Sequence, residues 1–275
     1  MGKIISIANQ KGGVGKTTTC TNLAAYVAAM GKKVLVIDLD SQGNATSGLG
    51  IEKNKTLKTI YDLIAGDAEP NEVIKPTLVE GLDVIPANVD LAGLELEIVQ
   101  MPQREKIIKK ALEPIKDNYD FIMIDCPPSL GLIPVNALTA SDSVIIPIPC
   151  EFYPLEGLTQ LMNTIKLIKY HLNPSIYIEG VVMTMKDKRS NLTTQVADEI
   201  LRFFGKKVFF TYIPRNVRLA EAPSHGEPIL IYEPSSKGAE AYMSLAEEFL
   251  DRNKVKYNPI TKDTKIKLRE VKDNG

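Results

Sequence analysis

Three cysteines in 275 residues, at positions 20, 126 and 150, are too few and too far apart for a disulfide framework, and no C-x-x-C pair offers a zinc site. Each reads as a small core residue. The only two histidines, His171 and His225, stand too far apart in the chain to suggest a metal cluster or a catalytic triad. No apolar run approaches the roughly 18 residues that a membrane-spanning helix needs, and no leader pattern precedes the first strand, so a cytoplasmic protein is expected. An excess of either charge is missing too: 33 Lys/Arg against 34 Asp/Glu give a net charge of −1. The balance is uneven, because residues 253–275 hold seven Lys/Arg and three Asp/Glu, net +4, which leaves −5 for the rest. A mildly acidic body cannot bind nucleic acid by bulk charge, so such an activity would need a local patch or the tail.

What is present begins at once. Lys3 to Thr18 reads KIISIANQKGGVGKTT, a short apolar run that breaks into glycines and then into lysine and threonines. This predicts a strand, a phosphate-binding loop and a helix start. Gly12, Gly13 and Gly15 let the backbone curl around Val14 so that successive N–H groups face a polyphosphate, where the helix N-terminus adds partial positive charge. Lys16 would reach the β- and γ-phosphates and the Thr17 hydroxyl, next to Thr18, would ligate Mg²⁺, which makes a nucleoside triphosphate with Mg²⁺ the expected ligand.

The rest of the chain reads as alternating strands and helices. The first helix is expected from about Thr17 to Met30, ending at Gly31. Lys33 to Leu39 is a buried strand closing on Asp38 and Asp40, and Ser41 to Gly50 a loop beside the phosphates that could act as a switch. Further strands are expected at Leu82–Pro86, Tyr119–Asp125, Ser143–Ile148, Ile176–Met185 and Lys207–Ile213. Helices are expected at 56–65, 91–99, 104–112, 155–171, 191–204 and 235–250, with a helical turn at 218–222. Asp125 ends its apolar run as a Walker B acid does and would hold Mg²⁺ through water. The fold class is therefore α/β, a doubly wound, mostly parallel sheet with helices on both faces, of P-loop type. With 44% hydrophobic residues, one large domain over 1–252 is expected, followed by a charged, mobile tail over 253–275.

The loop departs from G-x-x-x-x-G-K-[ST], because Gln10 stands where the first glycine belongs; instead it reads K-G-G-x-G-K-T with a second lysine, Lys11. This resembles the deviant Walker A box of the ParA/MinD superfamily of dimerising ATPases. DLDSQGN at 38–44, DCPP at 125–128, Glu156-Gly157 and EAPSHG at 221–226 are similar to the ParA family of the short Soj type. The resemblance implies that Lys11 crosses a homodimer interface to the partner's nucleotide, and that Pro214 and Arg215 recognise adenine. Phosphoryl transfer needs positioned water and charge neutralisation, and Asp40 is expected to orient that water. Lys11, Lys16 and Asp40 are thus the catalytic candidates. Arg189 and Arg218 match DNA-contacting positions of the family, and Lys186 and Lys188 add local charge around Arg189. The implied function is a DNA-partitioning ATPase that binds double-stranded DNA without sequence preference as an ATP sandwich dimer. It would be released when a ParB-type partner stimulates hydrolysis, segregating chromosome or plasmid DNA in the cytoplasm at the nucleoid.

A MinD-like cell-division regulator at the membrane is the alternative. It would need an amphipathic C-terminal helix, and KIKLREVK at 265–272 offers three apolar residues that form no convincing helical face, so no stable membrane association is expected. A ligase on the same fold would need a second substrate pocket that the sequence does not reveal.

Overall fold

The computed structural model describes residues 2–53, 55–56, 58–129, 131–151, 155–187, 189–261 and 264–269, with the side chains of 155–157 excepted. The strands are β1 (Lys3–Ile7), β2 (Val34–Asp38), β3 (Lys75–Pro76), β4 (Leu82–Ile85), β5 (Phe121–Asp125), β6 (Ser143–Pro149) and β7 (Tyr177–Thr184). They lie in the order β3-β4-β2-β5-β1-β6-β7, all parallel except the short β3, which runs antiparallel to β4. The helices are α1 (Lys16–Ala29), α2 (Asn44–Gly48), α3 (Ile60–Ala65), α4 (Pro70–Val73), α5 (Leu91–Ile98), α6 (Ile107–Leu112) and α7 (Leu132–Ala140). Then follow α8 (Leu155–His171), α9 (Asn191–Phe204), α10 (Val217–Glu221), α11 (Ile229–Tyr232) and α12 (Lys237–Arg252).

Strand alternation divides the core in two. Ile4, Leu35, Ile37, Ile122 and Ile124 face one layer, packed with α5 to α9, whereas Ile5, Ile7, Val34, Val36 and Met123 face the other, packed with α1 and α12. Apolar side chains on both faces of parallel strands require helices on both, which is the doubly wound fold the sequence predicts. Register then fixes the site. Ile7 of β1 and Asp38 of β2 both pair with Asp125 of β5, so the carboxyl ends of three adjacent strands are level. Ligands bind at this edge of such sheets.

Several expectations change. Part of the loop expected at Ser41–Gly50 folds into α2, whose N-terminus follows Gly43 at φ 62°. The helix expected from Thr56 begins only at Ile60, because Thr59 and Asp62 form a capping box there. The strand expected at Lys207–Ile213 is absent: only Val208 and Pro214 make isolated bridges, to Val181 and Lys186. The Glu248 carboxylate accepts the N–H groups of Phe210 (2.8 Å) and Thr211 (2.9 Å), which takes them out of any ladder. Where a mobile tail was expected, residues 255–269 lie along the body over their described part. Asn258 N–H donates to the Met30 carbonyl (3.1 Å), Leu268 bridges Val79, and Arg269 pairs with Asp83 (2.9 Å). Val255, Tyr257, Ile260 and Ile266 pack on the α1 side of the core.

Candidate nucleotide site

The loop between β1 and α1 is held open from outside. Gly13 and Gly15 take φ of 70° and 88°, the left-handed region that glycine reaches without strain. Asn9 donates to the Pro147 carbonyl (2.7 Å) and accepts from Lys11 N–H (3.1 Å), fixing the front of the loop. The Thr184 hydroxyl donates to the Val14 carbonyl (2.8 Å), fixing its back from the end of β7. Helix α1 has no side-chain cap and no acid in its first turn, so its N-terminal N–H groups and dipole face the loop's concavity. The buried Lys16 ammonium donates to the Lys11 carbonyl (2.9 Å) across that loop. Burial pushes its pKa below the ordinary lysine value, against the pull of Asp125, Cys126 and Asp40.

Asp125, at the end of β5, is fully buried, and neither carboxylate oxygen has a hydrogen-bond partner of good geometry. Burial, followed by the charge of Asp38, pushes its pKa well above the usual carboxylate range; the Thr17 hydroxyl and Lys16 pull the other way. An orphaned carboxylate beside a threonine hydroxyl fits a divalent cation, which Mg²⁺ sites commonly complete with waters and substrate phosphates. Among the described residues no three His, Cys, Asp or Glu side chains gather into a metal cage, so the cation would depend on the nucleotide's oxygens. The thiols of Cys20, Cys126 and Cys150 are buried and free.

Asp40 is half-buried just past β2, and its Oδ1 accepts from Gln42 N–H (3.0 Å). Behind the loop lies an apolar cavity of about 330 Å³ that contains Gly15 and Thr18 as well as Pro214 and Arg215, so the structure brings the base-loop candidates to the phosphate loop. Arg215 also pairs with Glu151. Sequence reasoning missed Thr184, Met185, Leu219 and Tyr242 in this lining. Thr184 could have been found from its place at a strand's carboxyl end; Tyr242, from the middle of α12, carried no such signal.

A second, more polar cavity of about 760 Å³ shares Pro214 and Arg215 with the first and adds Lys186, Arg189 and Lys237, with Asp187 and Glu240 among them. Lys186 sits 4.4 Å from the Tyr212 ring centre. Lys186 and Arg189 therefore come together as the sequence suggested, joined by Lys237, which it did not suggest. Arg218 does not line this cavity; it stands on α10, exposed and paired with Glu221 (2.8 Å). Lys188 lies outside the described residues, as does the side chain of Glu156.

Comparison with known proteins agrees with this geometry. A family model described as an AAA domain matches residues 2–178. The sporulation initiation inhibitor protein Soj of Bacillus subtilis is 60% identical over 248 residues, covering 90% of this chain and 98% of that protein. The chromosome partitioning protein ParA of Myxococcus xanthus is 50% identical over 253 residues, covering 92% and 89%. A solved structure of cobyrinic acid a,c-diamide synthase from Mycobacterium smegmatis, with bound ATP analogue and magnesium, is similar at TM-score 0.82 and 33% identity, over 95% of this chain and 100% of that one. Identity at this level over nearly the whole length, joined to the phosphate loop and the level acids described above, places the chain in the ParA/Soj family of P-loop ATPases.

Proposed function

We propose that the chain hydrolyses ATP with Mg²⁺ and uses the cycle to partition DNA, binding DNA as an ATP-held dimer. The observation that carries this reading is the uncapped α1 N-terminus beside the orphaned Asp125 carboxylate, with an apolar cavity of base-accommodating size behind them. Polyphosphate, cation and base each have a complementary surface within one cleft. A bound cation would supply neutralisation of phosphate charge. Thr17 and Asp125 would hold it, Asp125 through water. Lys16 neutralises phosphate charge from within the loop, and Asp40, on the rim, orients the attacking water. Lys11, exposed at the loop's front, would reach a partner's nucleotide across a twofold interface.

The name of the Myxococcus xanthus relative supports chromosome partitioning as the role. DNA contact would fall on Lys186, Lys188, Arg189 and Arg218, with release driven by a ParB-type partner, in a protein of the cytoplasm and nucleoid. The described part of the segment after α12 packs on the body, which supports DNA rather than lipid as the surface bound. Co-sedimentation with random-sequence DNA and with anionic vesicles, each with and without Mg²⁺–ATP, tests the reading. ATP-dependent pelleting with DNA alone is expected, reduced by Arg189→Ala equally for every sequence. Pelleting with vesicles alone would replace it with the membrane alternative.

A further inference from the structure

Helix α2 starts after Gly43, which has no side chain to cap it. The cap comes instead from strand β2. Asp38 Oδ2 accepts from the Thr46 N–H and the Thr46 hydroxyl, both at 2.8 Å, while Oδ1 accepts from Asp40 N–H at 3.1 Å. Thr46 is the third residue of α2, whose amide an N-cap side chain normally takes, so Asp38 caps the helix across the loop. The Thr46 hydroxyl in turn accepts from Ala87 N–H (2.9 Å), just beyond β4. Asp38, Thr46 and Ala87 are all fully buried. The backbone of Asp40 is thus held on both sides: its N–H by Asp38, and its carbonyl by Gly43 N–H (2.8 Å). Gly43 itself lies so close to Ala87 that a Cβ there would meet the Ala87 carbonyl at 2.9 Å.

We propose that Thr46, clamped between Asp38 and Ala87, is a positioning residue that sets where the Asp40 carboxylate stands over the phosphate site. The inference rests on the reading of Asp40 as the residue that orients water. The hydroxyl both donates and accepts, so removing it leaves the Asp38 carboxylate one donor short and the Ala87 amide without its acceptor. The clamp then loosens at the loop bearing Asp40 and leaves the phosphate loop, which hangs on Asn9 and Thr184, in place. A misplacement of about 1 Å in a positioned group costs roughly 10²-fold in rate.

Thr46→Val, Thr46→Ser, Asp40→Ala and the double variant Asp40→Ala/Thr46→Val test this by steady-state ATP turnover and nucleotide binding. Thr46→Val is expected to lose at least about tenfold in kcat, with KM and ATP affinity within about twofold, and Thr46→Ser to restore kcat to within about twofold. The double variant should be no slower than Asp40→Ala alone. If Thr46→Val turns over within twofold of the wild type while Asp40→Ala is inactive, the clamp is wrong and the role of Asp40 stands. If Asp40→Ala itself keeps wild-type turnover, the reading of Asp40 fails and takes the clamp with it. Loss of folding or of ATP affinity in Thr46→Val would make the residue structural and overturn the proposal.

Discussion

Asp38 and Asp125 occupy paired positions on neighbouring strands and are both fully buried, yet their surroundings are opposite. Asp38 accepts three hydrogen bonds from its own chain; Asp125 has no partner of good geometry for either oxygen. Burial pushes both pKa values up, that of Asp38 to about 6 despite its three donors, and that of Asp125 well above the usual carboxylate range with only Thr17 and Lys16 to oppose it. A satisfied buried carboxylate is a building element. An unsatisfied one destabilises the fold unless something else binds it, and at the proposed nucleotide site that would be a cation. The two acids differ, then, in whether their own chain supplies their partners; on the proposed reading a cation would supply those of Asp125.

The largest expected effect separates them by function. Asp125→Asn should lose at least about 10²-fold in kcat with Mg²⁺–ATP, the scale of removing a group that neutralises transition-state charge. Without nucleotide the same change should stabilise the protein by about 1–3 kcal/mol in chemical denaturation near pH 7, because the folded state must either hold the buried carboxylate charged or protonate it, and the amide avoids both. Asp38→Asn should do the reverse, costing about 2 kcal/mol as the charged acceptor of the α2 cap is lost. If both substitutions moved stability in the same direction, the contrast would collapse.

A carboxylate at the other end of the sheet extends the comparison to pH. Burial alone would raise Glu179, but Lys3, Ser143 and Asn253 outweigh it and hold its pKa below the ordinary glutamate value. A depressed folded-state pKa contributes stability that is present above the unfolded value of about 4.3 and is lost as pH falls through the folded one. Glu179→Gln should therefore cost about 1 kcal/mol near pH 7 and flatten the acid limb of a denaturation series. The smallest effect is expected at Asp83, which accepts from Tyr119 (3.0 Å) and Arg269 (2.9 Å) near the surface. Arg269→Ala should cost no more than about 1 kcal/mol, and less as salt is raised.

Which of these environments the sequence reveals follows from how local they are. The phosphate loop, Thr17 and Asp125 were legible because each lies in a contiguous pattern: an apolar run, then glycines or an acid. Six strands of the sheet were legible for the same reason; β3, two residues long, carries no such pattern. The role of Asp38 was not, since nothing in DLDSQGN tells that Gly43 leaves α2 uncapped and that the missing acceptor comes from the preceding strand. Residues 207–213 misled for a related reason: their pattern is that of a strand, and the Phe209 and Ile213 amides do donate to β7, but Glu248, far along the chain on α12, takes those of Phe210 and Thr211 between them and interrupts the ladder. Lys237 joined the basic cavity only through folding, the basic residues it meets there, Lys186, Arg189 and Arg215, being more than twenty residues earlier in the chain. The segment after Arg252 reads as a solvated tail by charge, and its few apolar residues, spaced irregularly, gave no period from which to infer its packing.

The central claim, that the empty valence of Asp125 is kept for a cation arriving with the nucleotide, is tested most directly by calorimetry of ATP binding with and without Mg²⁺. For the wild type, Mg²⁺ should strengthen ATP binding by about tenfold or more, and for Asp125→Asn the gain should fall to about twofold or less. An undiminished gain in Asp125→Asn would contradict the account and leave the orphaned carboxylate without a role in holding the ion.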